Sequence, residues 1–398
     1  MAAAGENLGE PTAAPVAPLD GVRVLDLTSV IMGPLATRIL ADLGADVIKI
    51  EPPEGEMLRS ADGARISPMM LNLYRNKRSV VLDLKTPAGR GALEALIPTA
   101  DVFVHNLRPK VIARLGFTYA SVRELNPNII YCAACGFGRD GPYADKPAYD
   151  DLIQAASGYA STATPLTGKP GYAPAIICDK VAGQAVAQAI LAGLLHRERG
   201  AGGQAIEVPM FETAIDFNLV EGFGGLVYDP PRGPPGYSRL ETPERRPCRT
   251  ADGFACILPY TAQNWSDFLD FVGRSNWKDR VGSAEVRLAN IDDLYRLVHL
   301  EAPKRTTAEW LSFCDAVDIP CMPVLDAVDL TDDPHVRAVG LMDLAQHPSE
   351  GSYRALRPPA RFSGWGYHLR HHAPALGAHT EEVLASMGLP PPAARHSG

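Results

Sequence analysis

The sequence predicts an α/β protein with a large domain built on a mostly parallel, Rossmann-like sheet, discontinuous in sequence, and a smaller inserted α+β domain. Two observations predict this class. Short β-branched, apolar runs alternate with stretches of helical periodicity, and the first strand, helix and strand fit within about thirty residues, the length of a βαβ unit. The 398 residues, 46% of them apolar, are also enough for about two domains with sizeable cores.

The elements of the large domain follow in order. Residues 22–27 form the first predicted strand, Gly33-Pro34 opens a helix because proline in a first turn needs no amide hydrogen bond, and residues 46–51 form a parallel second strand. The longest predicted helix covers residues 181–199. The other predicted strands of this sheet are residues 79–84, 101–105, 128–134 and 204–208. Ligands of such sheets bind at the carboxyl ends of the strands.

Composition divides the chain into four segments. Residues 1–18 are rich in alanine and proline and are expected to be a disordered tail, and residues 19–228 form the large domain. Residues 229–325 start with a linker rich in proline and glycine and contain the small domain. Residues 326–398 are expected to return to the large domain and complete it.

Charge and cysteine content exclude several classes of protein. The 46 acidic and 38 basic residues give a net charge of −8, which argues against a nucleic-acid partner. No apolar run reaches the roughly 18 residues of a membrane helix, so no membrane association is expected. The seven cysteines are scattered and odd in number, which favours a reducing, cytoplasmic location over a disulfide framework.

Two short motifs predict little chemistry. Residues 136–141 match GxGxxG, but Pro142 follows directly and no helix is predicted until about residue 148, so a turn is favoured over a dinucleotide site. Cys132 and Cys135 form a lone CxxC pair inside an apolar strand, so buried thiols are favoured over zinc, and no metal site is expected.

Asp179 is the most informative single residue. It lies where an apolar run ends and the longest predicted helix begins. Helix N-capping is the favoured interpretation on this pattern alone. The same position could hold a carboxylate nucleophile in a partly desolvated crevice near the positive end of a helix dipole, and the two interpretations are compatible.

Cations collect near the predicted strand ends, in an otherwise acidic protein. They could bind a phosphorylated ligand or could be solvated loop charges, and the sequence leaves both interpretations open. The residues concerned are Lys77, Arg78, Lys85, Arg108, Lys110 and Arg114.

Several ordered blocks of residues 18–210 resemble the family III CoA-transferases, which include formyl-CoA transferases, carnitine CoA-transferases and α-methylacyl-CoA racemases. The blocks that carry the resemblance are Gly33-Pro34, Leu82-Asp-Leu-Lys85, Asn106-Leu-Arg-Pro109, Arg114-Leu-Gly116, Ala148-Tyr-Asp150 and Asp179. The resemblance implies exchange of CoA between an acyl-CoA and a free carboxylic acid. It also implies an interlocked homodimer and no tightly bound cofactor.

The resemblance further implies that Asp179 forms covalent anhydride and thioester intermediates, and that residues 19–228 bind CoA. The CoA-binding residues implied are Val30, Ile31, Leu82, Asp83, Leu84, Lys85, Asn106, Leu107, Arg108 and Arg114, with Tyr149 beside the substrate. Two positions depart from the formyl-CoA transferases. Pro52 replaces an arginine that contacts CoA there, and residues 259–264 lack the glycine-rich loop.

Tyr149 favours a transferase over a racemase. The racemases have a histidine at this position, and together with the aspartate it exchanges the α-proton. Tyrosine ordinarily ionises near pH 10 and is a poor general base. Two alternatives remain, a racemase or epimerase acting by α-proton exchange and an inactive CoA-binding protein in which Asp179 only caps its helix.

Overall fold

A computed structural model of the chain describes residues 16–59 and 66–390. Most of the expected N-terminal tail, residues 1–15, therefore lies outside the described residues. The described chain forms two compact units, and each has its own hydrophobic core.

The first unit is built on a six-stranded sheet in which every neighbouring pair is parallel. The strands lie in the order β3-β2-β1-β4-β5-β6. Their bounds are β1 Arg23–Leu27, β2 Asp46–Glu51, β3 Lys77–Val81, β4 Val102–His105, β5 Ile130–Cys135 and β6 Gln204–Pro209. This sheet confirms the predicted α/β class with a mostly parallel sheet.

Fifteen α-helices occur in the described residues. In chain order they are α1 Met32–Asp42, α2 Pro68–Leu73, α3 Pro87–Leu96, α4 Pro109–Leu115, α5 Tyr119–Leu125, α6 Asp150–Ala156, α7 Thr164–Thr167, α8 Ile177–His196, α9 Met210–Gly222, α10 Ala262–Phe271, α11 Ala284–Ala289, α12 Ile291–Glu301, α13 Thr307–Ala316, α14 Pro334–Ala338 and α15 Thr380–Ser386.

Helices cover both faces of the sheet, as a parallel sheet requires. Alternate strand residues such as Val24 and Leu25 point to opposite faces and join different cores. Helices α1 and α8 pack on the Val24 face, and helices α3, α4, α5 and α15 on the Leu25 face. The site described below lies between the amino ends of α1 and α8.

The strand order reverses at β1, which pairs with β2 on one side and β4 on the other. The chain leaves β1 and β4 towards opposite sides of the sheet, so a crevice opens beyond their carboxyl ends. The loop after β1 and the loop after β4 border this crevice.

The second unit comprises residues 160–171 and 218–337. It contains an antiparallel sheet in the order β7-β8-β9, and helices α10, α12 and α13 enclose a core around Trp265 and Trp310. The strands are β7 Cys248–Arg249, β8 Phe254–Ile257 and β9 Cys321–Pro323.

Some boundaries differ from the predicted ones. Strand β3 starts two residues before the predicted position and α8 starts four residues earlier. The sequence pattern missed the antiparallel hairpin formed by β10 Met342–His347 and β11 Gly351–Leu356, because polar residues interrupt the apolar alternation.

Candidate active site

Asp179 lies inside the first turn of α8, as its third residue. The N-cap of this helix is Ile176, whose side chain makes no capping hydrogen bond. The prediction that Asp179 caps its own helix is therefore wrong. The helix starts earlier than predicted because its first turn is packed into the core, where Cys178 and Ala182 are buried.

The carboxylate of Asp179 instead meets the amino end of a second helix. Its Oδ1 accepts the backbone N–H of Met32, the first residue of α1, at 3.2 Å. The free N–H groups and the positive dipole end of a helix favour a negative charge, so two helix ends now act on this one carboxylate.

Gly183 allows the two helices to approach this closely. A Cβ atom at Gly183 would lie 2.6 Å from the carbonyl oxygen of Met32, a separation that real structures do not tolerate. The small residue one turn after Asp179 thus sets the distance between α8 and the amino end of α1.

A second carboxylate, that of Asp150, holds the backbone of Asp179. Asp150, the first residue of α6, accepts the backbone N–H of Asp179 at 3.0 Å through Oδ1. Its Oδ2 accepts a hydrogen bond from Gln154 Nε2 at 2.6 Å. Gln154 is fully buried and its Oε1 accepts the N–H of Ala173, at 2.9 Å. These bonds tie the first turn of α8 to α6 and to the chain that precedes it.

The pKa of Asp179 is raised from 3.8 to about 6. Burial is the larger cause, the nearby negative charge of Asp150 acts in the same direction, and the hydrogen bond from Met32 opposes both effects. A carboxyl group with this pKa is still about nine-tenths ionised at pH 7. It is therefore an anion that is poorly solvated, which increases its reactivity.

One oxygen of this anion is available. Within residues 16–59 and 66–390, Oδ2 of Asp179 accepts no hydrogen bond, whereas Oδ1 is occupied by Met32. A half-buried carboxylate with one free oxygen can act as a nucleophile towards an acyl carbon or as a base.

A cavity of about 420 Å³ lies at the carboxyl ends of the strands. The predicted residues Leu82, Asp83, Leu84, Lys85 and Leu107 line it, so the structure brings together the loops after β3 and β4. The sequence analysis missed the other walls, among them Thr28, Ser29, Lys49, Glu51, Glu56 and Met57. Pro52 also lines the cavity.

Other predicted CoA-binding residues lie outside this lining. Arg108 is the N-cap of α4, and Arg114 is in its last turn. Both are exposed, and neither forms an ion pair within the described residues, which also holds for Lys85. Among the described residues these three cations are thus unpaired, in a protein of net charge −8.

Of the remaining predicted residues, Val30, Ile31 and Asn106 border the crevice. Val30 and Ile31 belong to the loop between β1 and α1, and Asn106 contacts the backbone of that loop. Tyr149 is the N-cap of α6 and directly precedes Asp150, with its residue surface 57% exposed. Asp150 belongs to the same Ala148-Tyr-Asp150 block, but the sequence does not show its role, because its carboxylate bonds the backbone N–H of Asp179 in another helix.

The two weak motifs have the structures that the favoured interpretations predicted. Residues 136–149 contain no helix, so GxGxxG opens no helical phosphate site. Cys132 is buried and Cys135 half-buried, and burial raises the pKa of both thiols to about 12, which makes them unreactive. None of the described helices has the length and apolar character needed to cross a bilayer.

The chain is similar in sequence to known CoA-transferases over nearly its whole length. The family model of CoA-transferase family III matches residues 19–380. A succinate–glutarate CoA-transferase of Agrobacterium fabrum is 31% identical over 93% of this chain and 96% of its own. A formyl-CoA:oxalate CoA-transferase of Rhodopseudomonas palustris is 32% identical over 92% of each chain.

Solved structures agree with the sequence matches. The crystal structure of Rv3272 from Mycobacterium tuberculosis superposes with a TM-score of 0.80 and 30% identity, over 93% of this chain and all of that one. A CAIB/BAIF family protein from Brucella suis gives a TM-score of 0.81 at 27% identity, over 93% and 99%. The predicted resemblance is thus confirmed, and the chain belongs to CoA-transferase family III and is a CoA-transferase.

Proposed function

We propose that this enzyme moves CoA from an acyl-CoA to a free carboxylic acid through covalent intermediates on Asp179. The observation that carries the proposal is the environment of Asp179, a half-buried anion at the amino ends of two helices with one free oxygen. The loop after β1 supports the proposal too, because its residues Thr28 and Ser29 line the cavity and it leads to Met32, whose N–H bonds Asp179.

The first half of the reaction releases the donor acid. An oxygen of Asp179 attacks the thioester carbonyl carbon, the carbon–sulfur bond breaks and CoA leaves as a thiolate, so that a mixed anhydride remains. The thiolate then attacks the aspartyl carbonyl carbon and the donor acid leaves as a carboxylate. Asp179 now carries CoA as a thioester.

The second half repeats these steps in reverse. The acceptor carboxylate attacks the aspartyl thioester and expels the thiolate, which then attacks the acyl carbonyl of the new anhydride. The product acyl-CoA forms and Asp179 is again a carboxylate, with no net proton transfer. Thioesters and anhydrides have comparable reactivity, so the exchange needs no external energy source.

Each addition places negative charge on a carbonyl oxygen. The Met32 N–H is one oriented donor at the reacting carboxylate, and burial makes such a donor more effective than it is in water. Lys85, Arg108 and Arg114 would meet the phosphates of CoA, since no carboxylate among the described residues neutralises them.

The relatives suggest which acids to test first. Two of them are named for succinate, glutarate and oxalate, which are dicarboxylates. These three acids, with monocarboxylic controls, form a suitable acceptor panel. The scattered free cysteines also fit a reducing, cytoplasmic compartment.

The family resemblance also supports an interlocked homodimer. Two chains threaded through each other cannot separate without unfolding. The protein is therefore expected to keep twice the chain mass in light scattering at every dilution. A monomer, or a dimer that dissociates on dilution, would exclude interlocking.

The reaction is tested by CoA exchange with a labelled acid. We expect transfer that depends on the acceptor and that disappears in Asp179→Asn, while CoA binding is retained. A racemase would instead incorporate deuterium at the α-carbon from D₂O without any acceptor acid. Undiminished exchange in an Asp179→Asn sample that mass spectrometry shows to be free of deamidation would exclude the proposal.

A further inference from the structure

The loop between β1 and α1 is held in a strained conformation. Val30 has a backbone φ of +67°, in the left-handed region that β-branched residues rarely adopt. A conformation of this kind persists only where the surrounding structure fixes it, and it often occurs at functional sites. Contacts from the rest of the fold must therefore hold Val30 in place.

Side chains from other parts of the sheet hold the loop backbone. Glu56 Oε2 accepts the N–H of Val30 at 3.0 Å. Asn106, directly after β4, makes a paired contact with Ser29, since its Oδ1 accepts the Ser29 N–H at 3.0 Å and its Nδ2 donates to the Ser29 carbonyl at 2.8 Å. The contact of Asn106 crosses the crevice where the strand order reverses.

The start of the loop is fixed in the same way. Asp26 Oδ1 accepts the N–H of Thr28 at 2.9 Å, and the buried Lys49 ammonium group donates to the Thr28 carbonyl. Consecutive peptide groups of the loop are thus bonded to side chains from β1, β2, the segment after β2 and the segment after β4. The tertiary structure, rather than local preference, sets the direction of the chain here.

The burial of Glu56 needs an explanation. Its residue surface is 9% exposed, and no cation among residues 16–59 and 66–390 forms an ion pair with it. Burying a carboxylate without a cation is costly. Its hydrogen bonds go to the N–H groups of Val30 and Leu58. The segment that carries it is anchored by Arg59, whose guanidinium group makes two 2.6 Å hydrogen bonds to Glu51.

The strained residue lies two positions before Met32, which donates its N–H to Asp179. The loop also folds tightly onto α1, because a Cβ atom at Gly33 would lie 2.2 Å from the side chain of Thr28. A change of φ at Val30 would rotate the following peptide groups. It would then turn the Met32 N–H away from Asp179.

We propose that Glu56 and Asn106 are positioning residues for the transfer reaction, which hold Val30 in its strained conformation and so aim the Met32 N–H at Asp179. This inference rests on the proposed function, because it assumes that Asp179 is the reacting group. Both residues act through the loop and need not touch the substrate with their side chains.

The test compares Glu56→Ala, Asn106→Ala and the conservative variants Glu56→Gln and Asn106→Asp with the wild type. We expect kcat to fall about 10- to 100-fold in both alanine variants, because misplacing a reacting group by about 1 Å has effects of this size. Gln retains an acceptor for the Val30 N–H, so Glu56→Gln should recover most of kcat. Asn106→Asp keeps an acceptor but loses the donor, so an intermediate loss is expected.

The pH profile separates positioning from general destabilisation. The Met32 hydrogen bond lowers the pKa of Asp179, so its loss should move the acidic limb of kcat/KM to higher pH. The matched control is Asn126→Ala. Asn126 also bonds backbone carbonyls, those of Ile97 and Ala100, but lies near the opposite edge of the sheet. The Asn126→Ala variant should lose thermal stability but keep the acidic limb of kcat/KM at the wild-type pH.

The outcomes for the two proposals differ. If Asp179→Asn is inactive but the alanine variants keep the wild-type kcat and acidic limb, the positioning role is excluded and the proposed function stands. If Glu56→Gln loses as much kcat as Glu56→Ala, the hydrogen bond is not the cause and the inference fails. The positioning role would also be contradicted if Asn106→Asp had a lowered kcat while the acidic limb of its kcat/KM profile stayed at the wild-type pH. Active Asp179→Asn would overturn the proposed function itself.

Discussion

At Asp179 the same surroundings that we propose to favour reaction also oppose folding. The carboxylate is partly removed from water and lies near the charge of Asp150, and both effects penalise its ionised form. The pKa of Asp179 is about 6 in the folded chain and 3.8 in the unfolded chain. The folded state therefore binds more protons than the unfolded state between these values, and stability falls as the pH rises through this window.

Replacement by asparagine should therefore stabilise the protein while it removes activity. At pH 7 we expect Asp179→Asn to raise the free energy of unfolding by about 1–3 kcal/mol, because the amide cannot ionise. Urea unfolding at pH 7 and pH 4 measures this. The gain should shrink at pH 4, where wild-type Asp179 is largely protonated. An equal gain at both values would mean that the charge is not its source.

The acidic limb of the rate profile should report the same group. We expect kcat/KM to fall below about pH 6, because the nucleophile must be ionised. Asp150→Asn removes the neighbouring negative charge and should move this limb to lower pH. Initial rates from pH 4.5 to 8 measure the shift, and Glu94→Gln, an exposed carboxylate on α3, is the control. A limb that stays near pH 6 in Asp150→Asn would show that Asp150 does not act on Asp179.

The sequence could identify Asp179 as a candidate but not its partners. An aspartate after an apolar run predicts a helix start nearby, although α8 begins two residues before Asp179, and the family resemblance adds the reaction. The Met32 and Asp150 contacts involve backbone N–H groups of residues far apart in sequence, and side-chain identity says nothing about which N–H groups are free. Glu56 was missed for a similar reason, since nothing local shows that it is buried.

At the scale of elements, the site depends on the contact between α1 and α8. The start of α8 was predicted four residues too late because the packing of its first turn against α1 is not encoded in the local pattern. The central strands β1, β4 and β5 were predicted well because nearly all their residues are buried on both faces of the sheet and turns bound them.

Gly183→Ala tests this contact. The added methyl group would lie 2.6 Å from the Met32 carbonyl, so we expect a loss of about 1–3 kcal/mol in unfolding free energy and a lower kcat. Gly91→Ala in α3 is the matched control because a Cβ there meets nothing within 4 Å. It should be neutral or stabilising by up to about 1 kcal/mol. Equal effects of the two variants in urea unfolding would refute the close contact.

At the scale of the molecule, the reversal of strand order at β1 explains why a crevice opens beside the cavity at the carboxyl ends of the strands. The crevice beyond β1 and β4 is bordered by the loop that leads to Met32, and the cavity lies at the same edge of the sheet. The alternation of strands and helices in the sequence predicts that the site lies at the carboxyl ends of the strands. It does not predict the order of the strands in the sheet.

Lys85, Arg108 and Arg114 should bind CoA without taking part in the chemistry. Replacing any of them by alanine should raise KM for acyl-CoA about 3- to 10-fold and leave kcat within about twofold, because exposed charges contribute modestly to binding. The effect should weaken at high salt. Arg123, an exposed arginine on α5, is the control in steady-state kinetics. An unchanged KM in all three variants would place the CoA phosphates elsewhere.

The most direct measurement is the mass of the peptide that contains Asp179 after incubation with acyl-CoA and trapping with hydroxylamine or borohydride. The account predicts a hydroxamate or a reduced alcohol at Asp179, absent without acyl-CoA and absent in Asp179→Asn. An unmodified Asp179 peptide in enzyme that is turning over, or an adduct on another residue, would contradict it.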